Sequence, residues 1–320
     1  MKLYKKEKMN ILIRANSSSY IGTGHIMRDL VLAKQYKNDN IVFATQDLEG
    51  NINYKIDEAN YKIETLKTNS FEELNNLIKK LNIEMIIIDN YEIDYKFEKK
   101  LKKENPNLKI FVFDDIYKRH YCDILLNHNI YANEKRYKKL VPKYCELRCG
   151  AKYTLLREEF FQESIKHKKE VKKQKIITIF VAMGGSDHKN LNIRILKTIK
   201  RISNKYIKVN LVTTTANRNL EVLKKYCKNK EWINLQINSN EVAKLMKKSN
   251  FAIITPSVTA NELYYLALPF IAIKTAKNQK EMHRYLRQKD YFVMKHFDKK
   301  ELEKGIVKIL GEIIGGNYKI

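Results

Sequence analysis

Ile11-Leu12-Ile13-Arg14-Ala15-Asn16-Ser17-Ser18-Ser19-Tyr20-Ile21-Gly22-Thr23-Gly24-His25-Ile26-Met27-Arg28-Asp29-Leu30 reads as a short apolar strand, a loop of serine and glycine, and an amphipathic helix opening at about Gly24. Such a passage brings backbone N–H groups and one imidazole to the carboxyl edge of a parallel sheet, where open α/β folds bind their ligands. His25 falls in the first turn of the expected helix, at the positive end of its dipole, which disfavours the imidazolium. Neutral imidazole is the form that serves as a general base or as a hydrogen-bond donor to phosphate. The competing reading is a capping or packing histidine, because Gly-x-Gly is a common turn. The loop is neither a Walker loop nor a complete dinucleotide fingerprint.

Outward from this stretch, apolar runs alternate with segments of helical period. Strands are expected at 11–14, 41–44, 61–66, 84–89, 109–114 and 123–126, with helices at 24–36, 71–81 and 95–103. Runs such as Met85-Ile86-Ile87-Ile88 are apolar at successive positions, as in strands buried on both faces. A lysine-rich stretch at 164–175 interrupts the pattern. It restarts with a strand at 176–182, the loop Met183-Gly184-Gly185-Ser186-Asp187 and a helix from about Asn190. Further strands are expected at 208–213, 233–237, 251–255 and 270–273, and helices at 217–228, 240–248, 257–266, 278–288 and 299–309. The alternation predicts an α/β chain of two Rossmann-like, doubly wound domains facing a cleft. Their expected extents are 1–163 and 176–320, with 164–175 as linker and 1–8 as an extension that leaves Met9 as an alternative start.

The 320 residues carry a formal charge of +26, and 44% of them are hydrophobic, with 20 tyrosines and 12 phenylalanines, a globular rather than disordered composition. The charge is that of a field attractive to anions. Most lysines, however, lie on helical amphipathic stretches such as 96–103 and 224–230, without the glycine-arginine or aromatic interleaving of RNA binders. The reading is therefore solvated helix faces and no nucleic-acid partner. No apolar run approaches the roughly 18–20 residues of a membrane span. Cys122, Cys145, Cys149 and Cys227 lack paired metal-ligand spacing and no export signal is present, so reduced thiols in the cytoplasm are expected.

Three further groups could carry chemistry. Gly184, Gly185 and Ser186 lie between a buried strand and a helix, where free N–H groups bind phosphate and glycine admits a diphosphate close to the backbone; a plain tight turn is the alternative. Ser257 opens a helix that carries Asn261 and Glu262, and a carboxylate so placed can accept both hydroxyls of a ribose, the alternative being a solvated helix glutamate. Strand ends bear Asp89-Asn90-Tyr91, Asp114-Asp115 and Lys277-Asn278-Gln279, although aspartate is also common there as a turn residue. No dense His/Cys cluster, His-Glu-x-x-His or EF-hand loop occurs, so no structural metal is expected. Gly-x-Ser-x-Gly is also missing, which weakens a serine hydrolase reading.

Together these pieces resemble one family. The stretch from Arg14 to Arg28 resembles the N-terminal motif of the UDP-2,4-diacetamido-2,4,6-trideoxy-β-L-altropyranose hydrolases of pseudaminic acid biosynthesis. The likeness continues through Asp89-Asn90-Tyr91, Phe113-Asp114-Asp115, Cys122-Asp123-Ile124-Leu125-Leu126-Asn127, and Arg148-Cys149-Gly150-Ala151-Lys152-Tyr153-Thr154-Leu155-Leu156-Arg157-Glu158-Glu159-Phe160. It runs on through the glycine loop at 184–187, Asn261-Glu262 and Lys277-Asn278-Gln279, close to the full chain. The resemblance implies a GT-B fold, similar to the peptidoglycan N-acetylglucosaminyltransferase, with UDP held by the C-terminal half. It implies His25 as the base and Tyr91 in the sugar site, with Arg14, Ser19, Gly22, Gly24, Asn278 and Gln279 toward the substrate. Gly184, Gly185, Ser186, Ser257, Asn261 and Glu262 would hold UDP, Glu262 on the ribose. It further implies a UDP-sugar substrate, no metal or cofactor, and a monomer or weak dimer. Two departures stand out: Asn16 where the motif commonly has Asp, and Asn90 where a relative has His, so neither position offers a carboxylate or a base. The alternatives are a glycosyltransferase or a UDP-sugar epimerase on the same fold and, more distantly, a basic nucleic-acid-binding protein.

Overall fold

The computed structural model describes residues 8–165, 176–202 and 206–314. All but Lys8 of the expected extension and all but the first two residues of the expected linker lie outside these. The chain divides into two compact units, Met1–Leu155 and Leu156–Ile320.

In the first unit the strands are β1 (Asn10–Ala15), β2 (Asn40–Thr45), β3 (Lys62–Thr65), β4 (Met85–Asp89), β5 (Lys109–Phe113), β6 (Ile124–Asn127) and β7 (Glu146–Cys149). They form one sheet in the order β3-β2-β1-β4-β5-β6-β7, every neighbouring pair parallel. The helices are α1 (Gly24–Ala33), α2 (Tyr54–Glu58), α3 (Phe71–Lys80) and α4 (Tyr95–Glu104). Successive residues of β1 enter different cores: Ile11, Ile13 and Ala15 pack with Ile26 and Leu32 of α1, whereas Leu12 packs with Leu74, Ile78 and Leu101 of α3 and α4. This two-sided burial is why β1 and β4 read as unbroken apolar runs. The strand order reverses between β1 and β4, which opens a crevice at their carboxyl ends.

The second unit begins with α5 (Glu158–Ile165). Its strands are β8 (Ile177–Ala182), β9 (Ile207–Thr213), β10 (Ile233–Ile237), β11 (Phe251–Ile254), β12 (Phe270–Ile273) and β13 (Phe292–Met294). They are again all parallel, in the order β10-β9-β8-β11-β12-β13. Helices α6 (Asn192–Ile202), α7 (Leu220–Cys227), α8 (Val242–Lys247), α9 (Val258–Tyr265), α10 (Lys280–Gln288) and α11 (Lys299–Ile314) connect or close them. The order reverses between β8 and β11, so the loops after these two strands, at 183–191 and 255–257, lie at the switch point of this sheet.

The observed division precedes the expected one at 163. Residues 158–163, expected within the first domain, belong to α5, which packs against α8 and α9, and Glu159 accepts a hydrogen bond from the Ala243 N–H at 3.0 Å. Four short elements, α2, α5, β7 and β13, had no expectation in the sequence.

Candidate active site

The loop leaving β1 is tied from below. Arg14 is fully buried, and its guanidinium donates to Ala15 O (3.0 Å), Asn16 Oδ1 (2.8 Å), Ala44 O (3.0 Å) and Gln46 Oε1 (3.3 Å), and also to Asn69 Oδ1. Burial lowers its pKa to about 10 despite Glu92 and Glu73. Asn16 completes the bracket, accepting from the Gln46 N–H at 2.9 Å and donating to Gln46 Oε1 at 2.8 Å. A carboxylate could not make that donation, so the asparagine fits the network that surrounds it. Arg14, expected toward the substrate, is thus engaged by protein groups beneath the loop.

Above this bracket the chain turns sharply. Ser18 and Gly22 pair across the turn, and Ser18 Oγ accepts from Tyr20 N and Ile21 N at 3.1 and 2.9 Å. Gly22 adopts φ +86°, a left-handed conformation that glycine takes without a Cβ clash. Ser19 is buried and bonds the Glu49 carbonyl through both its N–H (2.9 Å) and its Oγ (3.3 Å). Gly50 lies against it at φ +72°, where a Cβ would come within 2.1 Å of Ser19 Oγ. Gly50→Ala is therefore expected to displace the serine turn and cost about 1–2 kcal/mol in urea unfolding; an unchanged midpoint would show that the turn is not clamped there.

This turn delivers Gly24 and His25 to the start of α1. His25 is 8% exposed, and its Nδ1 lies 3.1 Å from both the backbone carbonyl and Oδ1 of Asp89, the last residue of β4. Two acceptors facing one ring nitrogen place the proton on Nδ1 and leave the Nε2 lone pair for chemistry. Tyr91 sets its ring edge-on to the imidazole, centroids 5.2 Å apart. The Tyr91 hydroxyl lies 2.8 Å from both carboxylate oxygens of Asp115, to which it donates. Arg28, on the next turn of α1, takes the Asp89 carboxylate in a two-point grip at 2.6 and 2.5 Å and reaches Asp115 Oδ2 at 3.6 Å. Burial alone would raise the Asp89 pKa, but Arg28 and then His25 outweigh it and hold it ionised, below the usual carboxylate range. Asp115 moves the other way, burial prevailing over Arg28 and Tyr91. His25 and Tyr91, both singled out in the sequence, thus lie in ring contact, while Arg28 and Asp115 had no signal beyond their place in the motifs.

In the second unit, Gly184 takes φ +77° with open space where a Cβ would project. The carbonyl of Gly185 accepts from Thr214 N (3.1 Å), Thr213 Oγ1 (3.0 Å) and Thr214 Oγ1 (3.1 Å), and Ser186 is buried. The expected free N–H groups of a helix start here need correction. Helix α6 begins at Asn192, and the Asp187 carboxylate already accepts from Leu191 N at 2.8 Å and Asn192 N at 2.9 Å. By contrast Ser257, the residue before α9, makes no side-chain cap; its hydroxyl pairs with Thr255 Oγ1 at 3.2 Å.

On α9, Asn261 is buried, and Glu262 is buried with its Oε1 accepting from Arg157 at 3.1 Å. Arg157 also grips Glu159 at 2.5 Å. Burial raises the Glu262 pKa and Arg157 only partly offsets this. Arg157 lay inside the quoted motif with no role assigned. After β12, Gln279 Oε1 accepts from Thr275 N (2.7 Å) and Ala276 N (3.1 Å), so that oxygen closes its own loop, while Asn278 beside it is exposed. Among the described residues no group of three His, Cys, Asp or Glu could hold a metal, and no helix is long and apolar enough to cross a membrane.

Two parallel sheets, each flanked by helices and each reversing strand order at its ligand edge, define an α/β protein of the GT-B type. MurG of Acinetobacter baumannii matches with a TM-score of 0.60 at 10% identity, over 94% of this chain and 91% of that one. HepE of Anabaena, solved in complex with UDP-glucose, matches at 0.60 and 9% identity over 97% and 93%. The chain belongs to the family of UDP-2,4-diacetamido-2,4,6-trideoxy-β-L-altropyranose hydrolases: the enzyme of that name from Campylobacter jejuni is 44% identical over 285 residues, 89% of this chain and 98% of its own length. No family model matches the chain.

Proposed function

We propose that this protein hydrolyses a UDP-linked 2,4-diacetamido-2,4,6-trideoxy-β-L-altropyranose to the free sugar and UDP, with His25 activating the attacking water. The observation that carries the reading is the placing of His25 Nδ1 at 3.1 Å from both the backbone carbonyl and the carboxylate of Asp89, an arrangement that favours the Nδ1–H tautomer and leaves Nε2 as the base. Water attacks the anomeric carbon opposite the leaving group, His25 takes its proton, and the anomeric configuration inverts. This resembles inverting glycosidases in stereochemistry. UDP departs as a stable diphosphate, so charge stabilisation matters more than protonation of the leaving group. The backbone at Gly184, Gly185 and Ser186 and the uncapped first turn of α9 behind Ser257 supply that stabilisation. Glu262, whose Oε2 carries no hydrogen bond among the described residues, accepts the ribose hydroxyls, with Asn261 beside it. In the first unit Tyr91, Ser19, Gly22 and Gly24 are assigned to the sugar, with Arg14 acting beneath the loop, and in the second unit Asn278 and Gln279 are assigned to the substrate. The reaction needs no cofactor, metal or nucleic acid, and it takes place in the cytoplasm on a monomer or weak dimer.

The test is to incubate the enzyme with the UDP-sugar and no acceptor, following products by NMR. Stoichiometric UDP and free sugar, with the inverted anomer appearing first, are expected. A new UDP-sugar would indicate epimerisation, and release of UDP only with an added acceptor would indicate glycosyl transfer. Either outcome would refute hydrolysis.

A further inference from the structure

We propose that Arg28 and Asp115 are positioning residues that hold His25 and Tyr91 as one unit, Arg28 being shared between the two carboxylates that orient them; the proposal rests on the reading of His25 as the base. The contacts close a ring. His25 meets Asp89 at 3.1 Å, Asp89 is gripped by Arg28 at 2.6 and 2.5 Å, and Arg28 reaches Asp115 at 3.6 Å. Asp115 then takes the Tyr91 hydroxyl at 2.8 Å, and the Tyr91 ring returns to His25 at 5.2 Å between centroids. The five side chains come from α1, the end of β4 with the turn after it, and the turn after β5. Arg28 is 5% exposed and its guanidinium lies over the Phe113 ring at 4.9 Å, so it has little freedom to leave either partner.

One cation serving two carboxylates has a chemical consequence. A bare carboxylate beside His25 Nδ1 would favour the imidazolium and remove the base. The two-point grip of Arg28 balances the Asp89 charge, so Asp89 fixes the ring and its tautomer without imposing its full field. Asp115 faces the remaining nitrogen of Arg28, Nη1, at ion-pair rather than hydrogen-bond distance, and directs the Tyr91 hydroxyl. The groups around His25 are Asp89, Arg28, Asp115, Tyr91 and, from β6 outward, His128. Asp29 lies on the next turn of α1. His128 is fully buried and burial pushes its pKa down to about 3, so it stays neutral. Both carboxyl oxygens of Asp29 are buried without a partner, and burial followed by Asp89 raises its pKa well above the usual range. His128 adds no charge, and the balance among Arg28, Asp89 and Asp115 sets the field at His25.

The experiment compares Arg28→Gln, Arg28→Lys and Asp115→Asn by pH–rate profile and by NMR titration of the His25 ring protons in the absence of substrate. Arg28→Gln is expected to lower kcat about a hundredfold, as a base misplaced by about 1 Å would. It moves the acid limb of the profile to higher pH by about one unit, because Asp89 then acts on His25 unbalanced. Asp115→Asn moves the same limb to lower pH, since it removes a negative charge. Arg28→Lys returns the limb toward the parent position while kcat stays reduced, because the charge is kept and the two-point grip is lost. Opposite displacements in the Gln and Asn variants support the proposal; equal loss of rate with no displacement, or displacement in one direction, overturns it. If Arg28→Gln does not fold, the Asp115→Asn and Arg28→Lys pair still reads the sign. The ring-proton titration needs no turnover, so it separates failure of this proposal from failure of the base assignment.

Discussion

Replacing His25 by asparagine is expected to lower the rate of UDP release by about two to four orders of magnitude, the usual worth of a general base. The amide side chain can still donate toward Asp89, as His25 Nδ1 does at 3.1 Å, so the start of α1 keeps its anchor. What is lost is a basic nitrogen corresponding to Nε2. The residues assigned to UDP, from Gly184 to Ser186 and from Ser257 to Glu262, belong to the other compact unit, so the affinity for UDP should change little. A UDP-release assay paired with calorimetric titration of UDP checks both halves. Turnover at the parent rate would remove His25 from the mechanism, and loss of UDP binding alongside activity would indicate misfolding instead.

The second large effect concerns stability. His120 is 5% exposed, with Nδ1 2.7 Å from Glu98 Oε1 and Nε2 3.7 Å from Asp114 Oδ1. Burial opposes its charge, but Asp114 and Glu98 outweigh it and raise its pKa to about 9. Glu98 also accepts from Tyr121 N at 2.6 Å, and Asp114 from the Tyr137 hydroxyl at 2.6 Å. His120→Gln removes the cation between two buried carboxylates and is expected to cost about 3–5 kcal/mol. Because the folded-state pKa lies above the unfolded value of 6.5, the stabilisation is complete below pH 6.5 and disappears as pH rises through 9. A shift of this size is worth about 3 kcal/mol. Urea unfolding at pH 6, 8 and 10 should show that decline in the parent and a flatter profile in the variant. Equal slopes would mean that His120 does not carry the charge.

How much of this could be read beforehand follows from the physics of each element. Strands buried on both faces, such as β1, β4 and β8, are unbroken apolar runs and were visible at once. Strand β7, Glu146-Leu147-Arg148-Cys149, lies at the sheet edge with Glu146 exposed, so it carries only half of such a signal. Strand β13 and helix α2 are too short for any period to register. His25 stood out because it lies in a strand-to-helix loop, but the pattern alone left a capping or packing role open, and the base role came from the family resemblance. The division of labour between Arg28, Asp89 and Asp115 was not, since it depends on three segments distant in sequence. The second glycine loop shows the opposite error: its pattern suggests an open helix start, yet Asp187 accepts the N–H groups of Leu191 and Asn192.

The early division of the chain decides how it could be cut. Because α5 packs with α8 and α9, a recombinant C-terminal fragment beginning at residue 176 would lack a helix that packs within its own unit. It would also leave Glu262 buried without the guanidinium of Arg157. A fragment beginning at Leu156 keeps both, which makes Leu155–Leu156 the place to separate the halves for study in isolation.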